Sequence, residues 1–248
     1  MSVDGSVSSE SEWQLRCDLA AVFRILARQG MNEQIANHNS VMLPGSEALF
    51  LINPRGLHFR EMTASKFILC DLDGKVLKGK GELRKVAFHI HARLHQMHPQ
   101  ARCILHVHPQ YLTALSMLRG GQMALAHQNS IVLNDRIAYD DQHNGPVLDD
   151  SEGDRVARVL GDKTILLMAN HGVTVVGPSV HEAFDELYFA ERTCMYQMTA
   201  MNAGLPLQLL NDDLRSRYNG PWGERFDARQ HLDAWRRILD REEPDYAD

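Results

Sequence analysis

The run Ile104-Leu105-His106-Val107-His108-Pro109 sets two histidines into a short apolar stretch. Side chains alternate faces along a strand, so both imidazoles leave the same face, about 7 Å apart along the backbone. Two neutral imidazoles at that spacing can converge on one ion. A third comes from Ile165-Leu166-Leu167-Met168-Ala169-Asn170-His171-Gly172, a second apolar run read as a strand that ends on histidine and glycine. Three imidazoles that leave other coordination positions open are the usual ligands of a catalytic metal rather than a structural one. His106, His108 and His171 are therefore the candidate ligands of one divalent ion, and the fold must bring two strand ends together to make them so.

At 248 residues, 44% of them hydrophobic, the chain can fill a sizeable core. A net charge of -6 and the lack of any lysine or arginine block argue against nucleic acid as partner. The four cysteines, Cys17, Cys70, Cys103 and Cys194, are scattered without a Cys-X-X-Cys pair and read as buried thiols of a cytoplasmic protein. Residues Met1 to Glu12 are rich in serine and acid and are expected as a disordered tail, not a signal peptide. No apolar run reaches the length of a membrane span, so no membrane is expected as a partner.

Helical periodicity marks Trp13 to Gln29, with Gly30 as its stop. Ser40–Leu43, Leu49–Ile52 and Phe67–Asp71 read as short strands joined by tight turns, the signature of an antiparallel sheet. Glu61 to Ser65 reads as a brief helical turn. A helix is predicted from about Glu82 to Met97, ahead of Pro99, carrying His91 and His95 one turn apart. That pair could bind metal, but nothing nearby supplies a third donor as cleanly as His171 does for the strand pair. A helix from Pro109 to Leu118 follows the metal strand. Met123 to Gly145, with His127, Tyr139 and His143, resists assignment, and long irregular segments in compact domains are often functional. Ser151 to Leu160 is helical, the strand of His171 continues through Val173–Val176, and Ser179 with Glu182 forms a capping box that opens the longest helix, to about Asn202. Leu232, Trp235 and Leu239 mark an amphipathic helix that could pack on its own subunit or a neighbour. The expected division is a catalytic domain over residues 13–210 and a C-terminal extension over 211–248, the domain being α/β with a mainly antiparallel sheet covered by helices.

With these residues placed, the chain resembles the class II aldolase/adducin family from about residue 13 to 205. The resemblance rests on His106-Val107-His108, on Asn170-His171-Gly172, on Glu182-Ala183-Phe184 leading to Glu191-Arg192, and on Asn53-Pro54-Arg55-Gly56 with Thr63-Ala64-Ser65. It implies a three-layer α/β/α fold around an antiparallel sheet, a divalent metal on the three histidines, and often a homotetramer with active sites near the subunit boundaries. One departure matters most. Sugar-phosphate aldolases of the family carry a glutamate on the helix before the His-X-His that binds the metal and transfers protons, and that position is Ala87 here. Their phosphate-binding Gly-Asn corresponds to Asn37-His38, their Thr-Gly turn to Arg55-Gly56, their serine pair to Lys85-Val86, and the tyrosine they use as acid to His127.

His38, Arg55 and Lys85 thus replace small phosphate-binding donors, and a non-phosphorylated anion such as a carboxylate is the expected small-molecule partner. Three neutral ligands leave the ion its full positive charge to chelate a carboxylate and an adjacent oxygen. Decarboxylation of a hydroxy-carboxylate, aromatic or heteroaromatic in some family members that lack the glutamate, needs that electron sink but no base to deprotonate a carbon. It needs a proton donor for the carbanion, and His127, with an ordinary pKa of about 6.5, is the candidate. His91 is a candidate for orienting a ligand from behind, and Tyr139 for reaching the site. An aldolase acting on a small 2-keto or 2-hydroxy compound, an Fe(II) oxygenase and a non-enzymatic adducin-like scaffold are the competing functions. Zinc, manganese and iron all accept imidazoles, so the ligands do not choose among them.

Overall fold

The computed structural model describes residues 9–145, 149–218 and 227–248. Eight strands form one sheet: β1 His38–Met42, β2 Leu49–Ile52, β3 Ile68–Asp71, β4 Val76–Lys78, β5 Cys103–Val107, β6 Ile137–Asp140, β7 Ile165–Met168 and β8 Gly172–Gly177. Their order across the sheet is β4-β3-β2-β1-β5-β8-β7-β6. Every pairing is antiparallel except that of β6 with β7.

The period of two decides which helices cover which face. On β5, Cys103, Leu105 and Val107 point to one face and join the largest apolar cluster, which also takes in Phe23 and Leu26 from α1 (Ser9–Arg28) and Phe184 and Leu187 from α6 (Val180–Met201). Ile104 points the other way, toward Ile90 and Leu94 of α2 (Lys85–Met97) and Val156 and Leu160 of α5 (Asp150–Leu160). The sheet is buried on both sides, giving a three-layer α/β/α arrangement. Each such aliphatic side chain contributes about 1.5–3 kcal/mol when fully buried, so the alternation fixes the register firmly. Helices α2 and α5 cross closely because α5 places Gly153 there: a Cβ at that position would lie 2.6 Å from the carbonyl oxygen of His89.

Strong local signals set the helix starts. Ser179 accepts the amide of Glu182 at 3.3 Å to open α6, and Asp149 accepts the amide of Ser151 at 2.9 Å to open α5. Helix α3 (Gln110–Ser116) follows the metal strand directly, and both carboxylate oxygens of Glu191 accept its first amides, Tyr111 and Leu112, at 2.8 Å each. That bond ties α6 to the strand end that carries His108.

Several expectations are corrected. The first helix begins at Ser9 rather than Trp13, so Ser9 to Glu12, expected in the tail, are helical, and Glu12 pairs with Arg16 at 2.8 Å; the rest of the expected tail lies outside the described residues. His171 does not end a strand that then continues, because Ala169–His171 is the turn of a β7–β8 hairpin, with Asn170 at φ 54. Met123 to Gly145 contains helix α4 (Gln128–Leu133) and strand β6. A short helix α7 spans Asp212–Tyr218. The C-terminal helix α8 (Ala228–Glu242) packs on its own chain, and Leu232, Leu239 and Tyr246 belong to the largest core cluster. It is part of the fold rather than an appended extension.

Candidate metal centre

His106 near the end of β5, His108 just past it and His171 in the β7–β8 turn each present a nitrogen within 4.8 Å of the others. The Nε2 atoms of His106 and His108 lie 3.3 Å apart. Their protons are fixed by what holds the far side of each ring. Thr174 Oγ1 lies 3.0 Å from His106 Nδ1 and turns its own hydrogen to Met168 Sδ at 3.5 Å, so His106 donates through Nδ1. His108 Nδ1 meets the Glu33 carboxylate, which can only accept. In the neutral rings neither Nε2 then has a proton to give the other, and two lone pairs face across a gap that a cation would relieve. Burial pushes His106 well below its ordinary pKa and His171 down to about 4, with neighbouring histidines adding to both. For His106 and His171 the neutral imidazole that metal binding requires is thus the form present near pH 7. The donor set fits a divalent ion.

Gly172 lets the ligands approach. A Cβ there would lie 2.5 Å from Cδ2 of the His108 ring and 2.7 Å from the Val107 carbonyl oxygen. The turn residue and the ring it admits come from different strands, so the Asn-His-Gly sequence serves both the third ligand and the second.

Behind the triad, His38 on β1, His106 on β5 and Thr174 on β8 stand in one row across the sheet. The His38 ring stacks on that of His106, centroids 4.7 Å apart and 22° from parallel. Its Nδ1 lies 2.8 Å from His91 Nε2, and His91 Nδ1 lies 2.5 Å from Ser40 Oγ. Ser40 Oγ in turn lies 2.8 Å from His95 Nε2, and His95 Nδ1 lies 2.6 Å from the Ala101 carbonyl oxygen. His91 and His95 therefore do not pair around an ion; they share a serine beneath the sheet. Burial, then the Arg84 guanidinium, holds His38 down to about 3, and burial holds His95 at about 3.

The remaining candidates are dispersed. Arg55 is exposed and faces Glu82 at 3.7 Å, and Lys85 is exposed at the start of α2. The cation coupled to His38 is Arg84, which donates to the Ala36 carbonyl at 2.5 Å. His127 caps α4, accepting the Asn129 amide at 3.2 Å, and its ring lies 5.0 Å from that of Tyr196. Tyr139 accepts the Met123 amide at 3.0 Å and lines a cavity of 730 Å³ that Asn170 also borders. None of these four makes a described contact with the triad. His143 does, its ring centroid 5.8 Å from that of His171. Ala87 is buried with Met42, Phe50 and Ile52 in an apolar cluster, so that position offers no carboxylate. Glu33, Arg84 and Thr174 were not singled out by sequence; Thr174 alone carried a signal, being two residues past the Gly172 that starts the return strand.

Residues 17–198 match the family described as the Class II Aldolase and Adducin N-terminal domain. A protein of Caulobacter vibrioides, provisionally named an aldolase class 2 protein, is 36% identical over 257 aligned positions that span 100% of this chain and 97% of its own. The crystal structure of an aldolase II superfamily protein from Pseudomonas syringae superposes with a TM-score of 0.89 at 32% identity, covering 100% of both chains. The L-fuculose 1-phosphate aldolase of Glaciozyma antarctica superposes with a TM-score of 0.84 at 25% identity, covering 99% of this chain and 96% of its own.

Proposed function

Because the chain belongs to the class II aldolase and adducin family, we propose that it is a metal-dependent carbon–carbon lyase that decarboxylates a small, non-phosphorylated hydroxy-carboxylate. The observation that carries this reading is Ala87: the helix position where an aldolase of the family would offer its proton-transferring glutamate holds a methyl group inside an apolar cluster. An ionised carboxylate would be unpaired there. His106, His108 and His171 would hold a divalent ion, which would supply Lewis acidity for the electron pair released when the carboxylate carbon departs. Thr174 and Glu33 hold two of the ligands in the tautomer that presents Nε2. Arg84 gives the mouth of the site a positive charge that favours an anion. As CO2 leaves, the carbon it leaves behind takes a proton. His143, exposed and with its ring 5.8 Å from that of His171, stands beside the triad without being a ligand, and we assign it that donation. His127 and Tyr139 make no described contact with the triad of their own chain, so the donation is not given to them.

Stoichiometric CO2 release from a panel of hydroxy-carboxylates, lost in His106→Ala, is the expected result. Aldehyde and ketone products instead would establish retro-aldol cleavage, the reading favoured by the likeness to the Glaciozyma aldolase. The metal is zinc, manganese or iron, and elemental analysis of the purified protein identifies it. Oxygen consumption during turnover would mark an Fe(II) oxygenase instead.

A further inference from the structure

His106 and His108 are held by the backbone in different ways. His106 lies inside β5, with β1 and β8 paired to it on either side, whereas the last paired residue of the strand is Val107, opposite Val173. His108 and Pro109 come after it, so the element that follows fixes the course of the chain there. That element is α3, whose N-cap is Pro109 and which has no side-chain cap of its own for its first free amides. Glu191, from the middle of α6 and only 6% exposed, takes two of them: one carboxylate oxygen accepts the Tyr111 amide and the other the Leu112 amide, each at 2.8 Å. Both oxygens accept, so the group is the carboxylate ion, although burial raises its pKa against these two bonds. Two further residues on α6 grip the same stretch of chain. Cys194 Sγ donates to the Tyr111 carbonyl at 3.1 Å, and Gln197 accepts the Ala124 amide at 2.8 Å and donates to the Gln122 carbonyl at 2.9 Å. Glu191 belongs to the Glu191-Arg192 pair on which the family resemblance partly rests, yet it makes no described contact with the triad.

We infer that Glu191 is a positioning residue: by tying the first turn of α3 to α6, it sets where the backbone of His108 stands and so how well the triad closes on an ion. This rests on the proposed metal centre and not on which lyase reaction that centre serves. The Thr113 amide bonds to the Pro109 carbonyl at 3.0 Å, so the turn that Glu191 grips closes back onto the residue beside His108. A shift of that turn therefore carries His108 with it. Zinc–nitrogen bonds are about 2.0–2.1 Å long, and a site about 1 Å too loose no longer holds its ligands in productive geometry. The other hold on His108 is the Glu33 carboxylate at its Nδ1, and that side chain is 63% exposed. Glu33 turns the ring, and Glu191 places the backbone from which the ring extends.

The test is zinc affinity, measured by competition against a chromophoric chelator, in the full-length protein and three variants. Glu191→Gln, whose amide nitrogen would meet one backbone N–H donor to donor, should weaken zinc binding by at least about tenfold. The visible spectrum of the cobalt(II)-loaded protein should change with it. Gln197→Ala loosens α6 from the chain beyond α3, away from His108; it should lower the melting temperature of the metal-free protein and leave zinc affinity and the cobalt spectrum unchanged. Glu191→Asp, which keeps the charge on a shorter arm, should bind zinc with an affinity between those of the wild type and Glu191→Gln, and it decides the matter if Glu191→Gln does not fold. Wild-type zinc affinity in the Glu191 variants, or an equal loss in Gln197→Ala, overturns the positioning role and leaves Glu191 a cap of α3. A wild-type protein that binds no divalent ion overturns the inference together with the metal centre. One that binds zinc but releases no CO2 from any panel member sinks the decarboxylase reading alone.

Discussion

Glu33 sits in the irregular stretch between α1 and β1, yet its carboxylate holds the Nδ1 of His108. A carboxylate behind a metal-bound imidazole fixes the ring and raises its basicity, and its loss typically costs 10–100-fold in metal affinity. Glu33→Gln should therefore weaken zinc binding by at least about tenfold with little change in melting temperature, because the Glu33 side chain is 63% exposed. Competition against a chromophoric chelator measures the first, and a thermal melt of the metal-free protein the second. His106→Ala should lose the ion altogether in elemental analysis. The three histidines were legible in the sequence because a period-two strand and a His-Gly turn are patterns of neighbouring residues. Glu33 was not, because nothing in an aperiodic loop says which side chain turns back to a strand far along the chain. Arg84 rather than Lys85 acts on His38 for a simple reason: Arg84 is the extended residue before α2, at φ -75 and ψ 111, while Lys85 is the first residue of the helix, so the two neighbours leave the backbone in different directions.

Elements that cross at the site are as demanding as its ligands. A Cβ on Gly172 would overlap the His108 ring and the Val107 carbonyl, so Gly172→Ala should displace a ligand and strain the β5–β8 pairing together. A fall of about 1–3 kcal/mol in unfolding free energy, with at least tenfold weaker zinc binding, is expected from denaturant titration and metal competition. The hydrogen-bonded chain joining β1 to α2 makes a pH prediction. Burial lowers the folded pKa of His95 to about 3 despite the Ala101 carbonyl, with Arg102 adding to the fall, and Phe50, Ser40 and His91 are its other neighbours. The unfolded value is about 6.5. Between those values the unfolded chain binds the extra proton, so this contribution is complete above pH 6.5 and is lost as pH falls toward 3, by up to about 1.4 kcal/mol per pH unit. Thermal melts should fall steeply below pH 6, and His95→Gln should flatten that slope. The sequence pattern located most strands and all the long helices. It missed β4, whose three residues Val76–Lys78 are all exposed and show no alternation, and it read β7 and β8 as one strand because both are apolar and the turn between them is only Ala169–His171.

At the scale of the whole molecule, the C-terminal helix is bound into the core. Tyr246 is 1% exposed, donates to Asp240 at 2.8 Å and accepts from Arg236 at 3.2 Å, while Arg24 of α1 pairs with Glu243 at 3.0 Å and Asp245 at 2.6 Å. Tyr246→Ala should cost about 3–5 kcal/mol, as other large aromatic truncations do, read from denaturant unfolding. Among the described residues no helix is long and apolar enough to cross a membrane, yet Met117, Leu205 and Leu209 are 65%, 73% and 64% exposed. Light scattering should find four chains per particle, with those side chains covered. Of the three triad histidines only His106 lies on a strand, β5 in the middle of the sheet, while His108 follows its end and His171 sits in a turn, so the apolar clusters that hold the layers together are built from other residues. Chemistry and architecture are thus separately heritable here: a descendant that exchanged its histidines for other polar residues would forfeit turnover and still inherit an intact skeleton, free to be put to work as a building block.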